Sequence, residues 1–227
     1  IHSMTKNTIK GQLLVSPFGG YTCNTEFEFL TGNTLAFLPQ STVAYQLYFN
    51  EDTPSSIDEF NSLGYETAAF HPYLGRCWNR QKIYELMGFD EFISFDNIKK
   101  YMDEDDIEYV RHYVSDRTSF KLVTDRLENK KPGEKMFLFN VTMQNHGGYT
   151  YDGGEFPTVT ISNLQGHYKE AEQYLSLIKE SDKAFEELVR YLKNYDEPTI
   201  VVMFGDHQPA VEQEFYEELY GKSLSKL

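Results

Sequence analysis

Adjacent aspartate and histidine residues near the end of the chain are its clearest candidate for chemistry. The pair Asp206-His207 follows the apolar run 199–204 through a single glycine, Gly205. Such a run predicts a strand buried on both faces, as central parallel strands are. Open α/β sheets bind ligands at the carboxyl ends of such strands. There a carboxylate and an imidazole could bind a divalent metal, whereas the plainer interpretation is a turn-capping aspartate beside a surface histidine.

Other apolar segments also lead into residues that could bind a ligand. The candidate residues follow three such runs: Thr22 after 11–16, Trp78 and Arg80 after 65–70, and His146 after 135–142. The carboxyl ends of parallel strands meet at one edge of a sheet. We therefore expect these residues and the pair 206–207 to line one crevice.

The elements that would position this crevice alternate along the chain. Helices are predicted over 24–31, 55–64, 79–87, 105–129 (with a break near 115–119) and 166–194, and strands over 11–16, 66–70, 92–95, 136–142 and 199–204. A long glycine-rich loop is predicted over 147–165. This alternation predicts an α/β fold with a mostly parallel sheet sandwiched by helices. No segment reads as a linker, so we treat 1–227 as a single domain.

Composition limits the partners of the chain. It has 35 acidic and 21 basic residues and a formal net charge of −14, which disfavours nucleic acid and adsorption to anionic membranes. No stretch approaches the roughly eighteen apolar residues that span a bilayer, and the first residues do not resemble a signal peptide. Cys23 and Cys77 could form one disulfide or remain two free thiols, and the second alternative is favoured.

Thr22 is the candidate nucleophile. Gly19 and Gly20 permit a tight turn before it, and a helix is predicted to begin just after it. A hydroxyl at a helix N-terminus lies in a positive field that favours an alkoxide and binds anions. A threonine that only caps the helix would have the same local sequence.

Phosphoryl or sulfuryl transfer would also need a cation and donors for the nonbridging oxygens. Asp206 and His207 could hold the cation. Arg80 could grip two phosphate oxygens, His146 could donate to the phosphate or the leaving oxygen, and Trp78 could form a flat apolar wall. Each side chain taken singly has an ordinary structural explanation, and their joint occurrence at strand ends is what favours a site.

The motifs resemble those of the lipoteichoic acid synthase family. The segment 19–32 is followed, in order, by Trp-Asn-Arg at 78–80, Asn-His at 145–146 and Gly-Asp-His at 205–207. The first two motifs are quite specific, whereas Asp-His alone is not. Members of this family are sulfatase-fold phosphoglycerol transferases of the alkaline phosphatase superfamily, and the resemblance spans nearly the whole chain.

The resemblance implies a role for each matching residue. Thr22 would be the nucleophile; Thr22, Asp206 and His207 would bind a divalent metal, typically manganese, with magnesium or zinc as alternatives; Trp78, Arg80 and His146 would contact glycerophosphate. The implied reaction moves glycerophosphate from phosphatidylglycerol, through a covalent threonine intermediate, to a polymer or glycolipid acceptor. The implied parent protein is membrane-anchored, with this soluble part at the extracellular face of the bacterial membrane.

Departures from the family pattern concern the ends of the chain and the cysteine. The family has an acidic metal ligand upstream of the nucleophile, yet none of the 21 residues before Thr22 is acidic. We therefore expect a fragment truncated at both ends, with that ligand missing and little activity in isolation. A true sulfatase is not expected, because Cys23 is followed by Thr25 and Phe27 where that motif needs proline and arginine.

Two other functions stay open at this stage. A phosphodiesterase or phosphatase of the same superfamily would use water instead of a glycolipid as acceptor. An inert domain would bind only anionic headgroups or a partner protein. The presence of Thr22, Asp206 and His207 together favours the transferase.

Overall fold

A small parallel sheet forms the centre of the chain. The computed structural model describes residues 1, 3–153 and 156–224. Within these ranges the strands are β1 (Tyr65–His71), β2 (Glu91–Ser94), β3 (Tyr109–Val110), β4 (Tyr113–Val114) and β5 (Lys135–Asn140). The order β2-β1-β5 is parallel throughout, and β1 pairs with β5 from Tyr65–Lys135 to Phe70–Asn140.

Helices surround this sheet. The α-helices of the described ranges are α1 (Thr22–Thr31), α2 (Ala44–Leu47), α3 (Ser56–Ser62), α4 (Arg80–Leu86), α5 (Asp116–Glu128), α6 (Lys169–Lys193) and α7 (Gln213–Tyr220). Short 3-10 turns lie at Leu35–Phe37, Cys77–Asn79, Ile98–Lys100 and Glu104–Asp106. None of the described helices is long and apolar enough to cross a membrane.

The two faces of the sheet bury separate apolar clusters. Side chains alternate between the faces of a strand, so Ala69 of β1 packs with residues of α1 and α4, including Phe27 and Ile83. Its neighbour Phe70 packs on the opposite face with Leu122 of α5. Helix α6 packs in turn against α5. The expected fold class, a parallel sheet between helices, is therefore confirmed.

Residues 105–115 depart from the long helix predicted there. They form a 3-10 turn and the antiparallel hairpin β3–β4, and α5 begins only at Asp116. Tyrosine and valine favour strands, Arg111 takes a left-handed conformation with φ 57° at the turn, and the Ser115 hydroxyl accepts a hydrogen bond from the amide of Thr118. The hairpin and the Ser115 cap therefore determine where α5 begins, in spite of the helical periodicity of residues 105–115.

The strands predicted over 11–16 and 199–204 are wrong. Neither run belongs to a ladder with another described strand, although a strand needs such a neighbour to satisfy its backbone groups. Ile200 is 92 % exposed, so the apolar composition of the second run did not lead to burial. The predicted loop is confirmed for its described residues, because 147–153 and 156–165 contain no helix or strand; residues 154 and 155 lie outside the described ranges.

Candidate active site

Helix α1 and the Asp-His segment meet, although they lie at opposite ends of the chain. The Thr25 hydroxyl donates to the backbone oxygen of Asp206 over 2.6 Å, and the Gly19 amide donates to the oxygen of Gln208 over 2.9 Å. Phe18 and Gln208 also form a parallel bridge. The turn before Thr22 and the segment after Gly205 are thus held against each other on both sides of Thr22.

Thr22 is the first residue of α1 and does not cap it. The N-cap is Tyr21, which has a left-handed conformation (φ 64°, ψ 39°), and no side chain caps this end. The Thr22 hydroxyl forms no hydrogen bond with another described residue, so it is free to meet a ligand at the positive end of the ten-residue helix. This geometry disfavours the interpretation of Thr22 as a helix cap.

Asp206 and His207 direct their polar atoms to the same place. His207 Nδ1 lies 2.9 Å from the oxygen of Gln208, and a carbonyl can only accept, so Nδ1 carries the hydrogen. In the neutral ring Nε2 then presents a lone pair, 3.2 Å from Asp206 Oδ2. Two facing lone-pair donors need a proton or a cation between them, and a backbone carbonyl on the other ring nitrogen is a usual support of metal-binding histidines.

These two residues fit a dication as an oxygen–nitrogen donor pair, and Thr22 would supply a hydroxyl nearby. Among the described side chains, however, no group of three or more His, Cys, Asp or Glu could hold a metal ion. If a metal binds here, the described side chains would supply only part of its coordination shell.

Trp78 lies beside the start of α1. Its ring packs against that of Tyr21 with a centroid separation of 5.6 Å. Trp78 and Asn79 both have positive φ angles, 56° and 63°, which cost energy for residues other than glycine and concentrate at functional sites. Three residues in left-handed conformations, Tyr21 included, thus flank Thr22 and Arg80.

Arg80 is buried in an ion pair with Glu26, four residues after Thr22 on α1. Its Nε lies 3.0 Å and 3.1 Å from the two carboxylate oxygens, and Nη2 also donates to Oε1. The Tyr84 hydroxyl donates to Oε2 over 2.6 Å. Burial alone would raise the pKa of Glu26, but the charge and hydrogen bonds of Arg80 lower it overall. Arg80 is only 2 % exposed, and Nη1 is the nitrogen that donates to no described residue.

His71, the last residue of β1, adjoins this pair. It is 3 % exposed, and its Nδ1 donates to the oxygen of Val141 over 2.9 Å. Burial, followed by the charge of Arg80, lowers the pKa of His71 to about 4. A neutral imidazole therefore lies under the carboxyl end of β1 at physiological pH.

His146 is exposed on the loop after β5. Partial burial of its ring lowers its pKa, and the charges of His207 and Arg111 act in the same direction. His146 is thus close enough to the Asp-His segment for their charges to interact. Its ring nitrogen Nδ1 lies 3.2 Å from the hydroxyl of Tyr113 in β4.

Hydrogen bonds to α5 and α6 anchor the residues that precede His146. Gln144 is buried, and its amide donates to Ser181 of α6, as does the amide of Asn145. Ser181 in turn donates to Asp116 at the start of α5, over 2.6 Å. Burial raises the pKa of this aspartate. The loop after β5 is therefore tied to both helices on this side of the sheet.

Sequence reasoning missed several residues that shape this site. Glu26 carried a detectable signal, because it lies one helical turn from Thr22 on the same face. Arg111 and Tyr113 carried none, because the hairpin that presents them was predicted as helix.

Comparison with known proteins places the chain in a family. The Sulfatase family model matches residues 3–226, almost the entire sequence. The chain belongs to the Sulfatase family.

Two sequence relatives of this sulfatase-family chain are named for glucan modification and for lipoteichoic acid synthesis. It is 34 % identical, over 97 % of its length, to a putative cyclic beta-1,2-glucan modification protein of Rhizobium meliloti. It is 25 % identical, over 84 % of its length, to lipoteichoic acid synthase 1 of Bacillus subtilis. It spans about a third of the length of these relatives, 34 % and 28 %.

Solved structures share the sulfatase fold. The phosphoglycerol transferase GacH of Streptococcus pyogenes, in complex with sn-glycerol-1-phosphate, superimposes with a TM-score of 0.72 at 25 % identity, covering 92 % of this chain and 55 % of that one. The lipoteichoic acid synthase LtaP of Listeria monocytogenes superimposes with a TM-score of 0.60 at 21 % identity, covering 80 % and 42 %. The predicted resemblance is confirmed at the level of family and fold.

Proposed function

We propose that this chain is the core of a metal-dependent phosphoglycerol transferase with Thr22 as its nucleophile. The observation that carries the proposal is the contact between α1 and the Asp-His segment, made by Thr25 with Asp206 and by Gly19 with Gln208. It supports a site in which the Thr22 hydroxyl, at a helix N-terminus, would lie near the side chains of Asp206 and His207 as candidate metal ligands. Glycerol phosphate in the related GacH structure supports the substrate class.

The transfer would occur in two displacements that balance in bonds and protons. Thr22 Oγ attacks the phosphorus of a phosphatidylglycerol-type lipid; a Thr22–phosphorus bond forms, the bond to the diacylglycerol oxygen breaks, and that oxygen gains the proton that Thr22 loses. An acceptor hydroxyl then attacks the same phosphorus, the Thr22–phosphorus bond breaks, and Thr22 Oγ regains the proton that the acceptor loses. A glycolipid or glycan polymer fits the second role, since relatives are named for glucan modification and lipoteichoic acid synthesis.

The metal would be held by Thr22, Asp206 and His207. A divalent ion, manganese by the family resemblance, lowers the pKa of a coordinated hydroxyl and stabilises charge on the phosphoryl oxygens. The positive end of α1 acts in the same sense on Thr22, because its unpaired amides favour a negative oxygen.

The remaining candidates would bind the glycerophosphate. Glu26 takes the Nε side of the Arg80 guanidinium, so a phosphate could reach Arg80 only at Nη1 and the remaining Nη2 hydrogen. Trp78 would form an apolar wall beside Thr22, and His146 would donate to the phosphate or to the leaving oxygen. The parent protein would be anchored in the membrane by segments outside this chain, and this part would lie at the extracellular face.

Mass spectrometry of the full-length protein tests the proposal. The protein is incubated with manganese and phosphatidylglycerol, without acceptor, and digested. We expect a glycerophosphoryl adduct on the peptide that contains Thr22, and its loss when a glycan acceptor is added.

Two results would change the assignment. Free glycerophosphate, formed at the same rate with and without acceptor, would indicate a phosphodiesterase. Retention of phosphatidylglycerol without adduct or turnover would indicate an inert headgroup-binding domain.

A further inference from the structure

The β3–β4 hairpin reaches across to the loop that carries His146. Arg111, at the hairpin turn, donates from Nη2 to the backbone oxygens of Gln144 (3.0 Å) and His146 (2.8 Å), and from Nη1 to that of Gly148 (3.2 Å). One guanidinium therefore gathers three carbonyls of a single loop. Arg111 has a left-handed backbone (φ 57°) at this turn, a conformation that costs energy for a residue other than glycine.

Aromatic rings hold this arginine in place. The guanidinium carbon lies 5.5 Å from the ring centre of Tyr113 and 5.7 Å from that of Tyr149, within the range of cation–π attraction. The Tyr149 hydroxyl donates to the oxygen of Asn145 over 3.0 Å. Hairpin and loop are thus joined by contacts from both sides.

Tyr113 touches the imidazole itself. Its hydroxyl lies 3.2 Å from His146 Nδ1, and the two rings are 5.2 Å apart. Burial raises the pKa of Tyr113, so the phenol keeps its hydrogen. His146 Nδ1 is the nearest acceptor for that hydrogen, and within the described part of the chain this hydroxyl forms no other hydrogen bond.

The direction of this bond determines which ring nitrogen carries a hydrogen. If the phenol donates to Nδ1, the neutral imidazole must carry its hydrogen on Nε2. The competing partner of Nδ1 is the oxygen of Gly147 at 3.4 Å, which can only accept and would require the opposite tautomer. The shorter contact favours the phenol as donor. Nε2–H is then the donor group of the ring.

We propose that the β3–β4 hairpin positions His146 for transfer, with Tyr113 holding the ring as the Nε2–H tautomer and Arg111 holding its backbone. The inference rests on the proposed function, in which His146 donates to the phosphate or the leaving oxygen. An Nε2–H donor is the form that this role requires. Tyr113 and Arg111 act through His146 and are positioning residues.

Nitrogen NMR of ¹⁵N-histidine-labelled protein reads the tautomer directly. The His146 signals are assigned by their loss in His146→Gln. In the wild type at neutral pH we expect hydrogen on Nε2 and none on Nδ1. In Tyr113→Phe the ring packing is kept but the donor is lost, and Gly147 becomes the remaining partner of Nδ1. The Nδ1–H form should then rise by roughly fivefold, the worth of about one hydrogen bond.

Tyr109→Phe is the matched control, because Tyr109 belongs to the same hairpin, its side chain is exposed, and its hydroxyl forms no hydrogen bond with a described residue. It should leave the tautomer and the turnover unchanged. Wild-type protein with hydrogen on Nδ1 would overturn the proposal without any variant. So would a Tyr113→Phe spectrum that matches the wild type.

Turnover of phosphatidylglycerol by the full-length protein forms the second readout. Tyr113→Phe should lower kcat by roughly tenfold, as the loss of an orienting partner does at other sites. Arg111→Lys should also lower kcat, because a single ammonium nitrogen cannot reproduce the planar fork whose Nη1 and Nη2 bind separate carbonyls. If Tyr113→Phe changed the tautomer but kept a normal kcat, the proposal that the hairpin positions His146 for transfer would be overturned. Wild-type protein that does not turn over this lipid would instead refute the proposed function, while the NMR result would still decide the tautomer.

Discussion

Thr25 Oγ1 donates a 2.6 Å hydrogen bond to the backbone oxygen of Asp206, and the two residues are 181 positions apart. The bond begins one turn after Thr22 and ends at the first residue of the Asp-His pair. Because the acceptor is a backbone oxygen, the Asp206 carboxylate stays available to His207 or to a cation. This contact links the candidate nucleophile to the candidate metal ligands.

Substitution of Thr22 should separate chemistry from stability. Thr22→Ala removes the atom that would form the bond to phosphorus, so turnover should fall by roughly a thousandfold or more, whereas Thr22→Ser should retain measurable activity. Since Tyr21, not Thr22, is the N-cap, the free energy of unfolding should change by less than about 0.5 kcal/mol. Denaturant titration and lipid turnover measure the two effects. Near-normal turnover of Thr22→Ala would refute the mechanism.

The Glu26–Arg80 pair should be sensitive to the loss of either partner. Glu26→Gln leaves a buried guanidinium without its counter-charge, so unfolding should become easier by about 3–5 kcal/mol. Arg80→Lys keeps the charge but cannot reproduce the bonds that Nε and Nη2 make to Glu26. It should impair both stability and turnover.

The exposed pair Arg190–Glu186 offers a matched control on α6. Arg190→Lys should change the free energy of unfolding by less than about 1 kcal/mol, because solvent screens such pairs. Urea titration measures the loss of unfolding free energy in each variant. Equal losses for Arg80→Lys and Arg190→Lys would contradict the structural role given to the buried pair.

Calorimetric titration with manganese tests the ligand set. The described residues offer Thr22, Asp206 and His207 and no larger cluster of metal-binding side chains, so this 227-residue chain should bind manganese weakly or not at all. Any heat that is seen should disappear in Asp206→Asn. Submicromolar affinity would show that further ligands had been overlooked.

His71 should make stability depend on pH. Its pKa is lowered from 6.5 to about 4, so between these values the unfolded chain binds more protons than the folded one. Its contribution is therefore fully present above about pH 6.5 and is lost as the pH falls towards 4, by about 3 kcal/mol in total. The lowered pKa of Glu26 acts in the same direction at still lower pH.

Urea titrations at several pH values measure this dependence. His71→Asn should flatten it between pH 6.5 and 4, whereas His112→Asn should not, because His112 lies exposed at the hairpin turn. If the stability of the wild type were constant between pH 6.5 and 4, the assignment of His71 as a buried neutral imidazole would be wrong.

Whether Cys23 and Cys77 form a disulfide depends on their distance in the folded chain. Cys23 and Cys77 are both free thiols in the structure, and burial raises the pKa of Cys23. The favoured sequence interpretation, two free thiols, thus agrees with the structure, yet the spacing of the two residues in the chain contained no information on their distance.

Local sequence was sufficient for most of the secondary structure. Helix α3, for example, carries its own start signal, because Ser55 and Asp58, three positions apart, form a capping box. Glycines and apolar periodicity similarly predicted β1 and α6. These features depend on contacts between residues close in the chain, which a sequence displays directly.

The sequence by itself determined the family motifs, the α/β class and the identity of Thr22, Asp206 and His207 as candidates. Only the tertiary structure decided that Glu26 occupies one side of Arg80 and that Tyr113 reaches His146. It also decided that residues 199–203 of the second apolar run are exposed. The physical reason is that burial and pairing depend on partners distant in the chain, and the periodicity of a segment describes its own side chains but not the surface that it meets.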